Sequence, residues 1–451
     1  MGHVNGLESP MKYVLPTLGT VAAVALFAFS SSNQTAIAVE RPSYDETFQQ
    51  LELFADVLAR VRNDYVVEVN DGELIEDAIN GMLQSLDPHS SYVSPDDFRD
   101  LQVSTSGEYG GLGMEVTTEE GFVKVIAPID DTPAKRAGVK AGDYITEIEG
   151  ETIMGVSLTD AVKRMRGKPG EPITITVARE DEEPLEITMV REVIKRKVVR
   201  YEIKDGIGYI RISQFNEKAS EGLADAVAGL KKEIGGKLPG IVLDLRGNPG
   251  GLLDQSIKVS SAFLDGGEVV STRGRTSSDT ERYNGEKGEL AKGIPLVILI
   301  DGASASASEI VAGAVQDRGR GLVMGMTSFG KGSVQSVIPL RGGRDGALRL
   351  TTQRYYTPAG RSIQGTGIDP DIYVSAIPDD GKEHKMRSEA DLPNTIPNEN
   401  ADDEDTSEEK TAEIVMDYPP EGFEIEDDYQ LQKAIELLKN GTYSQKLAEA
   451  G

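Results

Sequence analysis

Leu299-Ile300-Asp301-Gly302-Ala303-Ser304-Ala305-Ser306-Ala307-Ser308-Glu309-Ile310 is the stretch from which the rest of the chain is read. The apolar run Pro295–Ile300 reads as a short buried strand. A turn of small residues follows, and Ser308–Gln316 then carries apolar residues at helical spacing. A serine on such a strand-to-helix turn is exposed, held on a sharp bend, and close to backbone N–H groups that the helix leaves unpaired. That is the setting a serine nucleophile needs. Small residues also permit plain close packing, so this stretch alone leaves both readings open.

A serine at its ordinary pKa needs a base beside it. Of three histidines, His3 precedes an apolar N-terminal segment, His384 enters an acidic tail, and His89 reads as part of a Pro turn between helical segments. No Gly-x-Ser-x-Gly elbow pairs a serine with any of them. Ser328-Phe329-Gly330-Lys331-Gly332-Ser333-Val334-Gln335 offers a lysine bracketed by glycines and an aromatic. Desolvation disfavours the charged form of such a lysine and lets it take a serine proton.

With these two stretches the chain resembles the C-terminal processing peptidases (carboxy-terminal or tail-specific proteases, subfamily A of peptidase family S41), and the resemblance extends over nearly all of it up to about Ile377. The resemblance implies a Ser/Lys serine endopeptidase with Ser306 as nucleophile, Lys331 as base and Gln335 orienting the lysine. Gly325–Gly332 also mimics a phosphate-binding loop, but Gly332 stands where that loop needs Ser or Thr. The strand-like Ser333–Leu340 cannot supply the required helix N-terminus. No cofactor, metal or nucleotide is implied.

The chain has 451 residues, 38% hydrophobic and 27% charged, enough for two or three domains. A formal charge of −28 argues against nucleic acid as a partner. The absence of cysteine excludes disulfides and thiolate catalysis. Tyr13–Phe29 has the length of a secretory apolar region or short anchor, and Ala36-Ile37-Ala38 has the form of a cleavage site. Residues 1–38 are therefore expected to export the protein, to the periplasm or to the outer face of the inner membrane as an anchored form. Residues 39–100 read as an N-terminal helical region, with Phe48, Leu51, Phe54, Leu58 and Val61 on a face expected to pack. In the resembled family this region also serves dimerisation, and a homodimer or higher oligomer is carried from there.

Residues 101–191 resemble an inserted PDZ domain. Tyr109–Val116 resembles its carboxylate-binding loop, with Gly111, Leu112, Gly113 and Met114 as the peptide-binding positions. Thr132–Val139, Gly142-Asp143, Glu149-Gly150 and a helix at Ser157–Met165 continue the pattern. Arg166 matches a family position that couples peptide binding to activity; its alternative is a solvated helix-end charge. Protein or peptide substrates with free C-termini are the implied partners, with an activating adaptor as a further one.

In residues 192–377, strand–turn–helix units recur at Ile207–Ile234 and Gly240–Leu264, which predicts an α/β protease core with a mainly parallel sheet and sites at strand C-terminal ends. The turn Arg246-Gly247-Asn248-Pro249-Gly250-Gly251 looks like half of an oxyanion hole, as in the family: Gly250 or Gly251 joins Ala307. Between Asp379 and Asp428, 19 acidic residues face 4 basic ones. This tail (378–428) is expected to be partly disordered, above all at Asn394–Lys410, and carries no assigned chemistry. Residues 429–451 read as a terminal helix. The competing expectation is a PDZ-based scaffold or adaptor whose protease core is inactive or partner-gated.

Overall fold

Every residue of Leu296–Ile300 is buried, the pattern of a strand covered on both faces, and the sheet that holds it carries the small-residue turn. A computed structural model describes residues 44–119, 121–179, 182–379, 381, 386–399, 415–420, 422–424 and 427–450. The expected export segment, its cleavage site, His3, His384 and residues 400–410 of the tail lie outside the described residues.

The first of two units ends at Asp71, and its described helix is α1 (Tyr44–Asp64). Its apolar stripe carries Phe48, Leu51 and Phe54, which are 60%, 58% and 45% exposed. An amphipathic pattern specifies an apolar face but not the surface that covers it.

The second unit begins at Gly72. After α2 (Asp71–Gln84) and β1 (Ser91–Val93) comes α3 (Pro95–Ser106). Ser94 caps α3 by accepting from the Asp97 N–H, and Gly107 ends it at φ 69°. This helix runs past residue 100, where the sequence pattern places a domain boundary. β2 (Glu108–Gly111) and β9 (Glu192–Lys195) pair antiparallel as the entry and exit ribbon of an inserted module. Inside it, β3 (Met114–Glu119), β4 (Phe122–Pro128), β5 (Tyr144–Ile148), β7 (Pro172–Ala178) and β8 (Leu185–Val190) lie in that order, β6 (Glu151–Thr152) pairs with β5, and β3 is an edge strand. Helices α4 (Pro133–Arg136) and α5 (Leu158–Met165) complete it. Val125, Ile145, Ala161, Met165, Ile175 and Val177 form its own core.

The remaining chain contributes β10 (Val199–Lys204), β11 (Ile207–Ile212), α6 (Ala219–Ile234), β12 (Ile241–Asp244), α7 (Leu253–Ser261), β13 (Gly267–Arg273) and β14 (Thr280–Gly285). It continues through β15 (Leu296–Ile300), α8 (Ala307–Asp317), β16 (Leu322–Gly325), β17 (Ser333–Pro339), β18 (Ala347–Tyr356), β19 (Ile372–Tyr373), α9 (Tyr429–Lys439) and α10 (Tyr443–Ala450). The sheet order is β10-β11-β12-β15-β16-β19. Only the β10–β11 pair is antiparallel, as an α/β core predicts. Residues of α6, α7 and α8 share one core with Ile298 and Ile300. Leu431, Ala434 and Leu438 of α9 cover the opposite face at Val297 and Leu299.

A second, wholly antiparallel sheet, β1-β18-β13-β14 with β17 on β18, goes beyond what the sequence pattern predicts. Alternation shows that Leu348–Tyr356 is a strand, but it names no pairing partner. One partner, Ser91 against Arg349, lies far away in sequence.

Candidate active site

At the C-terminal end of β15 the chain must reverse into α8 within six residues, and each serine of the turn does something different. Ser304 Oγ accepts from the Asp301 N–H and donates to the Leu245 carbonyl at 2.9 Å. Ser308 Oγ donates to the Asn248 carbonyl at 2.9 Å. Both residues are fully buried. Ser306 stays half-exposed at the N-cap of α8, with φ 53° and ψ −110°. A non-glycine residue there stores roughly 1–3 kcal/mol and persists only where its surroundings impose it. Its hydroxyl lies beside the Tyr355 phenol, which burial pushes up to about 12.

What imposes that conformation is Glu309, fully buried and aimed back across the turn. Its Oε2 accepts the N–H groups of Ser306 at 2.6 Å and Lys331 at 3.0 Å. Its Oε1 accepts Ser328 Oγ at 2.6 Å and the Gly330 N–H at 2.7 Å. Burial raises the carboxyl to about 7 against these hydrogen bonds, all of which pull it down. One carboxylate thus ties the serine turn to the Phe-Gly-Lys-Gly segment. Sequence reasoning gives Glu309 no role, although Ser306-x-x-Glu309 has the spacing of a capping box.

The same contacts explain why Gly325–Gly332 is no phosphate loop. The Gly330 and Lys331 N–H groups point to Glu309, that of Gly332 points to Gln364 Oε1 at 2.9 Å, and the chain continues as β17. Among the described residues no His, Cys, Asp and Glu cluster is spaced to hold a metal ion.

Lys331 is half-buried. Burial draws its pKa below the usual lysine value; Glu389 opposes this most, Arg349 adds to it, and Glu309 and Asp87 oppose it. Among the described residues Lys331 Nζ makes no hydrogen bond to Ser306 Oγ or to Gln335. Gln335 Nε2 donates instead to Ser333 Oγ at 2.9 Å and to Thr351 Oγ1 at 3.3 Å. The structure therefore joins Ser306 and Lys331 through their backbones, while the side chains of Lys331 and Gln335 remain apart.

The glycine turn lies directly against the serine. A Cβ on Gly250 (φ 99°) would stand 2.9 Å from both Ser306 Cβ and the Ala307 nitrogen. On Gly251 (φ 146°) it would stand 2.2 Å from the Phe215 carbonyl oxygen. Only glycine fits either place. The Gly250 N–H is taken by Asn248 Oδ1 at 2.9 Å. Those of Gly251 and Ala307 have no hydrogen-bond partner among the described residues.

The start of this turn is clamped by Arg246. Its guanidinium bonds Asp244 at 2.8 and 3.0 Å, Asp428 at 2.7 and 2.8 Å and Gln430 at 2.9 Å. The last two come from the N-terminal end of α9. Nothing in the sequence links residues so far apart.

In the inserted module the carbonyls of Leu112 and Gly113 accept from Ala134 and Ile129. The N–H groups of Leu112 and Gly113 have no partner among the described residues. Gly111 closes β2 and Met114 opens β3. Arg166, its side chain 37% exposed, lies over the Tyr109 ring at 4.9 Å and pairs with Asp100 at 3.3 Å.

The described residues of the acidic tail make fixed contacts with the rest of the chain. Asn394 donates to the Gln84 carbonyl at 3.0 Å, and Glu399 pairs with Arg354 at 2.6 Å. Acidic composition predicts solvation, but Glu399 finds a fixed basic partner in Arg354.

Comparison with known proteins places this site in context. The family model for peptidase family S41 matches residues 206–374, that for a PDZ domain 110–188, and that for the N-terminal domain of the activating protease CtpB 16–96. A carboxy-terminal-processing protease of Bartonella bacilliformis is 48% identical over 418 residues, 92% of this chain and 94% of the relative. A probable CtpA-like serine protease of Staphylococcus aureus is 34% identical, over 80% of this chain and 72% of the relative. Among solved structures, a photosystem II D1 C-terminal processing protease is 28% identical, covers 72% of this chain and 92% of its own, and superposes with a TM-score of 0.42.

Proposed function

The chain belongs to peptidase family S41, the carboxy-terminal-processing serine proteases, and on that premise we propose that it is an endopeptidase working through a Ser306–Lys331 pair. The observation that carries this reading is the single Glu309 oxygen shared by the Ser306 and Lys331 N–H groups. In the working arrangement neutral Lys331 takes the Ser306 proton as Oγ attacks the scissile carbonyl, and Gln335 orients the lysine. The ammonium so formed returns its proton to the departing amine, and water then releases the acyl-enzyme. Of the expected oxyanion donors, Ala307 and Gly251 have N–H groups to spare, which favours Gly251 over Gly250.

The PDZ domain would take the substrate's C-terminal region as an added strand on the free edge of β3, its carboxylate on the Leu112–Gly113 N–H groups. Export of the mature chain rests on Tyr13–Phe29 and Ala36-Ile37-Ala38. Among the described residues no helix is long and apolar enough to cross a membrane. One observation favours the second reading, a partner-gated core: Lys331 and Ser306 make no hydrogen bond in this arrangement. Lys331 must then swing before catalysis, and a substrate or adaptor on the PDZ domain would supply the energy.

The test is digestion of an unstructured protein by the purified full chain beside Ser306→Ala and Lys331→Ala. Cleavage by wild type with both variants silent supports the pair. Cleavage by either variant at the wild-type rate overturns it. Silence of all three, with equal binding of C-terminal peptides, supports the gated reading.

A further inference from the structure

Glu389 lies in a tail to which the sequence assigns no chemistry, beyond the end of the matched S41 segment at residue 374. Its side chain is nevertheless only 1% exposed. A carboxylate is withdrawn from water only where partners compensate it, and here they come from two remote segments and from the tail itself. His89 Nε2, from the turn after α2, lies 2.9 and 2.8 Å from the two carboxylate oxygens. Gln364 Nε2 donates at 3.1 Å and Thr395 Oγ1 at 3.3 Å.

The same residue grips the lysine segment. The Glu389 N–H donates to the Phe329 carbonyl at 2.9 Å, two residues before Lys331. Gln364, bonded to the Glu389 carboxylate, accepts the N–H of Gly332, the next residue after Lys331. The charged groups that face Lys331 are Glu389, Glu309 and Asp87 on one side of the balance and Arg349 on the other, with Glu389 the largest. Asp87 is itself held by Ser90, the His89 N–H and Thr351.

We propose that Glu389 is a positioning residue for Lys331: anchored by His89 and Gln364 and bonded to the Phe329 carbonyl, it fixes the segment that carries the lysine, and its buried charge sets how readily the base is armed. This rests on the Ser/Lys reading above. A negative charge beside an ammonium favours the protonated form, whereas a base must be neutral. The tail segment therefore works against the desolvation that activates Lys331, and the balance fixes the pH at which the enzyme switches on.

The experiment is the pH profile of kcat/KM on an unstructured protein for wild type, Glu389→Gln, Glu389→Asp and Arg349→Gln, with thermal melts of each. Removing the carboxylate charge in Glu389→Gln moves the acidic limb to lower pH by roughly one unit. Glu389→Asp, which keeps the charge, stays near wild type, and Arg349→Gln moves the limb to higher pH. A purely structural role would change rate or melting temperature without these opposed shifts. A folded Glu389→Gln whose limb coincides with wild type overturns the proposal. If Glu389→Gln does not fold, an Arg349→Gln limb that stays in place overturns the charge balance on which the proposal stands. Full activity of Lys331→Ala overturns the Ser/Lys reading itself, an outcome distinct from either.

Discussion

Ser306 and Lys331 sit on two different kinds of scaffold. The serine is fixed by its own strand, turn and helix: Ser304 and Ser308 anchor the bend on both sides, Glu309 reaches back from the first helical turn, and the backbone pays with a left-handed φ of 53°. The charge of the lysine is balanced by Arg349 on the neighbouring β18 and by Asp87 and Glu389 from far away in sequence, and its amine meets neither Ser306 nor Gln335. On the proposed Ser/Lys reading, the contrast teaches that the nucleophile is preorganised while the base is adjustable. A rigid turn can be set once; a lysine whose charge and position depend on several segments can be governed by any of them.

The hardest blow to this comparison falls on the serine. Ser306→Ala is expected to lower turnover at least about a thousandfold with little change in melting temperature, read from digestion rates and calorimetry. Gly250→Ala is expected to abolish cleavage as well, because its Cβ would meet Ser306 Cβ at 2.9 Å and its φ is 99°. It should in addition destabilise by about 1–3 kcal/mol, which denaturant unfolding measures.

Glu309→Ala strips the acceptor from three backbone N–H groups, at about 1–3 kcal/mol each. A clear fall in unfolding midpoint together with lost activity is expected. A variant that keeps wild-type stability would contradict the role of Glu309 as the link between the two halves. The smallest effect is expected at the inserted module, proposed to take the substrate's C-terminal region. Arg166→Ala removes a ring contact and a half-exposed ion pair worth at most about 1 kcal/mol, so a few-fold change in kcat/KM with the fold intact is predicted.

The legibility of the sequence follows the same division. The β15–turn–α8 unit and the α/β core are local patterns that periodicity with turn chemistry suffices to place, whereas the PDZ domain and the role of the glycine turn rest on family resemblance. The Arg246–Asp428 clamp, the His89–Glu389 pair and the second sheet join segments far apart in the chain, and no local pattern specifies such partners. His89 illustrates the limit: read alone it is a residue in a Pro turn, and only the fold brings a buried carboxylate from the tail to it. The apolar stripe of α1 is legible as a pattern, although the pattern does not name the surface that covers it.

The most direct measurement is kcat/KM across pH for wild type and Lys331→Ala on one unstructured substrate. The account predicts wild-type activity that falls as pH drops and Lys331 becomes protonated, and a variant inactive at every pH. Since burial holds the lysine below its usual value while Glu389 opposes this, the limb should lie below the ordinary lysine range. A wild-type profile flat down to about pH 5, or a Lys331→Ala chain that still digests the substrate, would contradict it.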